Sequence, residues 1–417
     1  IEAGKMCGCN NQQLLWRVEI PTALSSIKLG INQVIMLSCN MVIIASMIGA
    51  GGLGYDVLTS LRKLDIGGGV EAGLAIVILA IVLDRMSYAY IGKQTDYSKK
   101  NLHFFRRHLH LFIVLFLILS TYFFGVFLEF FKSYPESLTL STSAFWEKAI
   151  KFININYYDQ LEIFKFYILK YFMLPIKSFF ISMPWPWFLF ILTLLGWYYG
   201  RSKLAILNLI LLAFIIVNGL WLKAMVTIYL CGASVIMACI IGIPLGIWGG
   251  LNDRANKILL SITDTLQTLP SFVYLIPVVM LFRVGDFTAM LAVILYSLAP
   301  AVKYTIHGIR NIKPEVIDAG IANGCNPRQL LLNIRLPLAL PEILLGINQT
   351  IMLALSMLVI TALVGTRELG QEVYIALTKA DIGRGLVAGL CVAFIAIISD
   401  NMIKSASKKL KVKYGFA

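Results

Sequence analysis

Charged side chains are scarce: Asp, Glu, Lys and Arg make up 14% of the 417 residues, too few to coat a soluble body of this size. No Walker-type phosphate loop occurs, no HExxH pair, and no grouping of nucleophile, base and orienting acid. Hydrolytic, metalloprotease and ATPase chemistry therefore have no seat in these residues. Cysteine pairing is missing too. The seven cysteines are scattered, and Cys7-Gly8-Cys9 has no second pair to complete a metal site. His103, His108 and His110 stand in a basic stretch without an acidic or cysteine partner, which reads as a solvated interfacial segment.

Apolar residues are what the chain has instead, at 59% of the sequence with a mean hydropathy of +0.80. Ten stretches approach the ~20 residues a helix needs to cross a bilayer. They are 27–49, 70–86, 111–131, 184–200, 204–222, 224–248, 271–284, 287–306, 343–364 and 385–403. The 271–284 stretch is short, and its Pro277 and Arg283 predict a kinked or protein-buried segment. Only helices satisfy their own backbone in lipid, so the expected fold class is an all-α, polytopic membrane helical bundle.

The net charge of +14 lies in alternate connections. Lys93 to Arg107, Arg201 and Lys203, Arg254 and Lys257, Arg310 to Arg335, and Lys404 to Lys413 all fall on one side if the ten stretches cross. The positive-inside rule makes that side the cytoplasm. The connection 132–183 fits less well, because it places Lys132, Lys148, Lys151, Lys165, Lys170 and Lys177 opposite. Its portion from Trp146 to Phe180 mixes Lys with aromatic and aliphatic residues, as amphipathic helices at the outer membrane interface do.

The first 86 or so residues recur at a constant offset of about 316 positions, with about 39 identical pairs. Gly8-Cys9-Asn10 returns as Gly324-Cys325-Asn326, and Gly30-Ile31-Asn32-Gln33 as Gly346-Ile347-Asn348-Gln349. The chain is thus read as a tandem duplication whose first copy is expected to lack its front end. Its expected parts are the tail of copy one (1–93), a cytoplasmic linker (94–110), an extra helix with an amphipathic segment (111–183) and a complete second copy (184–410). Gly49-Ala50-Gly51-Gly52-Leu53-Gly54 follows an apolar helix, and its counterpart Gly365-Thr366-Arg367-Glu368-Leu369-Gly370 keeps only the outer glycines. This is expected to be a turn or gate at the external mouth, not a nucleotide site.

The loop between the crossings at 287–306 and 343–364 reads Glu315-Val316-Ile317-Asp318-Ala319-Gly320-Ile321-Ala322-Asn323-Gly324, then Ile334-Arg335-Leu336-Pro337. Pro314 suits a first helical turn, Glu315 and Asp318 complement the positive helix end, and Gly324 can end the helix. Leu336-Pro337 is expected to stop the following helical stretch before the membrane. The result would be a rigid exposed knob able to pass a push to the helices beside it.

An acidic-Ala-small triplet, a Gly four residues after its alanine's neighbour, and Ile-x-Leu-Pro about ten residues on together resemble the coupling loop of binding-protein-dependent ABC importer permeases. Copy one opens on the same pattern: Glu2-Ala3-Gly4, Gly8, and Val18-Glu19-Ile20-Pro21. Copy two carries Asp in place of Glu, and both copies have Gly third. Further on, Gly242-Ile243-Pro244-Leu245-Gly246, Leu266 to Pro277 and Gly346 to Met357 resemble permeases for glycine betaine, proline betaine and choline. The resemblance implies a type I ABC importer (MetI-like) fold, about ten membrane helices in two unequal copies, and a multi-pass place in a bacterial inner membrane. It implies ATPase-coupling roles for Glu2, Ala3, Gly4, Gly8, Pro21, Asp318, Ala319, Gly320, Gly324, Leu336 and Pro337. The implied partners are two copies of an ABC ATPase, which use the ATP, and an extracytoplasmic solute-binding protein; this chain is expected to bind no cofactor and to be no enzyme.

Asn348, Gln349, Met352 and Ser356 lie at helical spacing, as do Asn32, Gln33 and Met36. Lining of a translocation pathway and hydrogen bonding between helices both fit these residues, and adjacent Asn and Gln point roughly 100° apart. An ion-driven secondary transporter is the rival class, since such proteins also carry repeats. It would call for ionisable residues at mid-membrane, whereas Asp84 and Asp400 read as lying at helix ends.

Overall fold

The computed structural model describes residues 2–63, 65–92, 109–127 and 139–413, and the regular elements among them are all helices. Copy one begins with the short α1 (Glu2–Met6) and a capped turn. Asn11–Leu14, a wide turn at Leu15–Glu19 and α2 (Ile20–Met47) then run on as one helix. α3 (Leu53–Lys63) and α4 (Ile66–Gly92) complete that copy. The expected linker falls largely at 93–108, outside the described residues. After α5 (Leu109–Phe127) come three connected helices, α6 (Ser143–Asn156), α7 (Tyr158–Ile168) and α8 (Leu174–Ser182). Copy two is built from α9 (Trp185–Val217), α10 (Trp221–Leu251), α11 (Asp253–Thr268), α12 (Ser271–Phe282), α13 (Asp286–Arg310), α14 (Pro314–Ala322), α15 (Leu336–Thr361), α16 (Leu369–Lys379) and α17 (Ile382–Lys413).

Among the described residues, five helices are long and apolar enough to cross a bilayer, and the bent pair α11–α12 would make a sixth. One of the five is itself folded. Arg201 takes φ 58° and ψ −159°, and the chain reverses there. Asn208 Nδ2 donates to the Leu192 carbonyl at 3.0 Å, although 16 residues of straight helix rise ~24 Å. The stretches expected at 184–200 and 204–222 are the two antiparallel arms of this hairpin. α12 corresponds to the short stretch at 271–284; Phe272 and Leu275 on it are 0% exposed, so it is wrapped in protein as Pro277 and Arg283 suggested.

The body of copy two is a stack in which α10 packs on α13, α13 on α15, α15 on α17, and α17 on α9. Small residues permit the closest approaches. A Cβ on Gly246 would fall 2.5 Å from Cβ of Thr305, and one on Gly346 would fall 2.7 Å from Cβ of Tyr304. The buried hydroxyls of Ser234, Ser297 and Thr305 each donate to the carbonyl four residues back, so these three are satisfied within their own helices.

Charge sorts the two ends. At the end bearing α14, Arg310 pairs with Asp253 at 2.6 Å, Lys411 with Glu342 at 3.3 Å, and Lys409 meets the Tyr198 carbonyl beside the Arg201 turn. At the opposite end α6 to α8 form a strap. Two of the lysines that fitted the topology poorly are engaged there: Lys165 Nζ donates to the carbonyl of Phe282 at 3.2 Å, and Lys177 pairs with Asp286 at 2.7 Å. These cations complement the C-terminal end of α12 and an acidic start of α13. The strap also touches copy one, where Glu71 accepts from Ser141 at 2.9 Å and from the Thr142 amide at 3.1 Å.

Two expectations need correction. Leu336-Pro337 does not stop a helix: the chain is helical from Pro327 through Thr361, and Pro337 lies in the first turn of α15. The wide turn Leu330–Arg335 precedes it, with the Leu336 amide bonded to the Leu331 carbonyl five residues back. That spacing opens the backbone where the proline, which has no N–H to give, enters. Asp84 and Asp400 do not lie at helix ends either, because α4 continues to Gly92 and α17 to Lys413.

Candidate functional site

The two loops singled out by their pattern fold alike. In copy two, α14 starts on Pro314 and ends at Gly324, whose φ of 79° is left-handed. The Gly324 amide donates to the Ile321 carbonyl at 2.9 Å and the Cys325 amide to the Gly320 carbonyl at 3.1 Å, which is the Schellman arrangement. Copy one repeats it at Gly8, φ 74°, with bonds from Gly8 to Lys5 at 3.0 Å and Cys9 to Gly4 at 3.2 Å. Each turn is followed by a capping box. Asn326 and Gln329 exchange side-chain to backbone bonds at 2.8 and 2.9 Å, and Asn10 and Gln13 do so at 2.8 and 3.1 Å.

The glycine in third place of each triplet explains how the knob is held to the next limb. A Cβ on Gly320 would sit 2.5 Å from Ile334 Cδ1 and 2.9 Å from Leu330 Cδ1; on Gly4 it would sit 2.7 Å from Leu14 Cδ1 and 3.3 Å from Val18 Cγ2. Four aliphatic side chains, three on the wide turns and Leu14 just before one, thus rest directly on backbone. Glu2, Pro21, Asp318 and Ala319 are exposed, Leu336 and Pro337 are half-buried, and Val316 and Ile321 present apolar surface outward; the Ala3 side chain lies outside the described part. Beyond each wide turn the helix runs unbroken to the far end of the molecule, through α2 and α15.

Of the residues considered for the pathway, Asn348 turns inward. It is 1% exposed and donates to Asp400 Oδ1 at 2.6 Å, while Asp400 Oδ2 meets Lys404 at 2.8 Å. Gln349 and Ser356 face out, with Met352 half-buried between them. The neighbours Asn348 and Gln349 therefore take opposite tasks, one tying α15 to α17 and the other lying on an open face. Asn32, Gln33 and Met36 hold the corresponding backbone positions on α2, and their side chains lie outside the described part.

The glycine-rich connections are turns at the strap end. Gly49 (φ 99°) and Gly365 (φ 78°) are both left-handed, 316 positions apart. In copy two the turn carries an acid where copy one has Gly52. Glu368 is fully buried and accepts from Thr361 and Thr366, both at 3.3 Å. Burial pushes its carboxyl up to about 8, and the negative charge of Asp286 adds to this while the two threonines oppose it. Nearby, Glu372 is 3% exposed and bridges Lys223 on α10 and Arg384 on α17, the latter at 2.5 Å.

Two features escaped the sequence reading. One is this Glu372 bridge, whose partners are 149 and 12 positions away along the chain. The other is Lys303 on α13, which pairs with Asp264 at 2.5 Å and also bonds the Gln267 side chain. A lone lysine inside the apolar 287–306 stretch was a readable signal for the second.

Comparison with known proteins places these features in a lineage. The family model described as "Binding-protein-dependent transport system inner membrane component" matches residues 1–97 and 242–412. The trimethylamine N-oxide transport system permease protein TmoV of Pelagibacter ubique is 39% identical over 424 residues, covering 100% of this chain and 59% of that protein. TmoV of Ruegeria pomeroyi is 33% identical over 417 residues, covering 100% of this chain and 63% of its own. The glycine betaine/proline betaine transport system permease protein ProW of Escherichia coli is 37% identical over 228 residues, or 55% of this chain and 64% of that one. The chain thus spans about three fifths of the length of the curated relatives it matches.

Proposed function

The chain belongs to the family of binding-protein-dependent transport system inner membrane components, and from that premise we propose that it is the permease of an ATP-driven importer for trimethylamine-type solutes. Trimethylamine N-oxide and glycine betaine lead the candidates because the relatives that match are named for their transport. Choline carries the same trimethylammonium head and proline betaine a dimethylated quaternary ring nitrogen, and another small osmolyte or amino acid is the alternative within this class.

The observation that carries the proposal is the duplicated knob: same left-handed glycine, same capping box, same glycine seated on aliphatic side chains of a wide turn. Two matched protrusions at the basic, cytoplasmic end suit two copies of an ABC ATPase. Exposed Val316 and Ile321 offer apolar anchors, with Asp318 beside them for a basic partner. Because each knob is joined to a helix that does not break, a displacement at Asp318 or Glu2 is delivered to α15 or α2 as a rigid-body movement. In the proposed cycle the ATPases close on ATP, the knobs move together, and access alternates between the two faces. An extracytoplasmic binding protein delivers the solute at the strap end.

The test is uptake by the whole transporter, reconstituted in vesicles with its ATPase and binding protein. Uptake of trimethylamine N-oxide or glycine betaine should stop when ATP is withdrawn and persist when proton and sodium gradients are collapsed. The reverse pattern would establish an ion-driven transporter instead.

A further inference from the structure

An ionised pair sits inside the apolar body where neither the knobs nor the outer turn employs it. Lys303 lies on α13 some 7 positions before its end at Arg310, about 10 Å in at helical rise. Its Nζ is 2.5 Å from Asp264 Oδ1 and is bonded to the Gln267 side chain as well. Both partners belong to the last turns of α11. Immediately afterwards the chain breaks at Leu269-Pro270, and α12 leaves at 92°. The Tyr274 hydroxyl donates back to the Leu266 carbonyl and so satisfies a group the break sets free.

An ion pair and a broken backbone within a membrane body are tolerated only against protein or beside a water-filled space. The side chains say which. Lys303 is 24% exposed and Asp264 is 66% exposed. Ser261, Thr265 and Gln267 are exposed with it, whereas Leu259 and Thr263 on the other side of α11 are buried. The break also lies where the two copies meet. α4 of copy one packs on α12, and a Cβ on Gly73 would fall 2.9 Å from Ile276 Cδ1. A polar, open face at the junction of two transport repeats is where a solute in transit would pass.

We propose that Lys303 is the residue that engages the anionic oxygen of a dipolar solute as it crosses, with Asp264 as the counterion it holds in the empty state. The inference rests on the permease reading above and deepens it. Trimethylamine N-oxide and glycine betaine each carry one strong acceptor, an oxide or a carboxylate, and a methylated cationic head that offers no N–H. An ammonium on a flexible stem can change partner between Asp264 and such an acceptor while Gln267 keeps it in place. Asp264, the more exposed of the pair, is then released toward water and the charge of the moving solute.

Lys303→Met, Lys303→Arg and Asp264→Asn test this in the whole transporter, all with the same binding protein loaded with glycine betaine. Solute uptake and ATP hydrolysis are measured together. The expected result is an uptake loss of about tenfold in Lys303→Met, the worth of one charge-assisted hydrogen bond, with ATP hydrolysis retained. Lys303→Arg, which keeps a cation, should recover part of the uptake lost in Lys303→Met, and Asp264→Asn should lose several-fold less uptake than Lys303→Met. Equal losses in Lys303→Met and Asp264→Asn would make the pair a structural strut and overturn the inference. Undiminished uptake in Lys303→Met would overturn it too. Failure of the parent chain to take up any quaternary amine would sink the permease proposal instead, so the two readings fail separately.

Discussion

Replacing Gly324 by valine should uncouple ATP hydrolysis from uptake without preventing membrane insertion. No atom lies within 4 Å of the site a Cβ would occupy there, so the effect is one of backbone conformation and not of crowding. At φ 79° an L-residue brings Cβ against its own carbonyl, which costs about 1–2 kcal/mol. If the turn relaxes, the capping bonds from Gly324 and Cys325 are at stake, each worth about 1 kcal/mol net. The strain alone corresponds to a fall of roughly 5- to 30-fold in the ratio of native to relaxed turn, and a turn that relaxes gives up those two bonds. α14 has nine residues and little else to fix it beyond the Gly320 contact with Leu330 and Ile334. Uptake per ATP hydrolysed should therefore drop about fivefold or more in vesicles, while yield and detergent stability stay near those of the parent. Gly324→Asn is the control, because asparagine accepts the left-handed region, and it should stay within about threefold. The reasoning is refuted if the valine variant couples normally, or if asparagine is as damaging as valine.

Other outcomes follow from the strap end. With the Glu368 carboxyl raised from 4.5 to about 8, the folded state holds a proton that the unfolded state has lost. Its stabilising contribution is complete below about pH 4.5 and disappears as pH climbs through about 8. Glu368→Gln, neutral throughout, should flatten that decline in thermal melts and gain on the parent above pH 8; parallel curves would contradict this. Glu372→Gln removes the charge that Lys223 and Arg384 share, and should lower stability by about 1–2 kcal/mol after allowance for the exposure of both cations, read as a fall in melting temperature. A Cβ on Gly67 would fall 2.5 Å from the Ser143 carbonyl oxygen, so Gly67→Val should unseat the start of α6 and speed hydrogen exchange in 143–156 but not in α14.

Helix positions were legible because the bilayer demands a simple signal, and within the described residues each of the ten apolar stretches falls largely on a helix or a helical arm. The knobs were legible through duplication: Gly8 and Gly324 announce the same left-handed turn twice. Direction within a helix was not. Asn348 and Gln349 are equally polar, and only the position of Asp400, 52 residues on, decides which of them turns inward. Pro337 misled because a proline is read as a breaker unless the preceding turn is wide, and width is a matter of hydrogen-bond register that composition does not record. The partners of Glu372 and Lys303 come from other helices, so their pairing waits on packing.

The reversal at Arg201 bears on how the protein reaches the lipid. The two arms that meet there need no loop, and the Asn208 Nδ2 of one arm, a donor that hydrocarbon would punish, is answered by the Leu192 carbonyl on the facing arm. Translocon insertion therefore favours the arms entering together as a zipped wedge, its arginine tip held back at the ribosome side. Lengthening the tip would separate donor from acceptor at the moment of entry, a biogenesis defect that would leave the finished molecule's chemistry untouched.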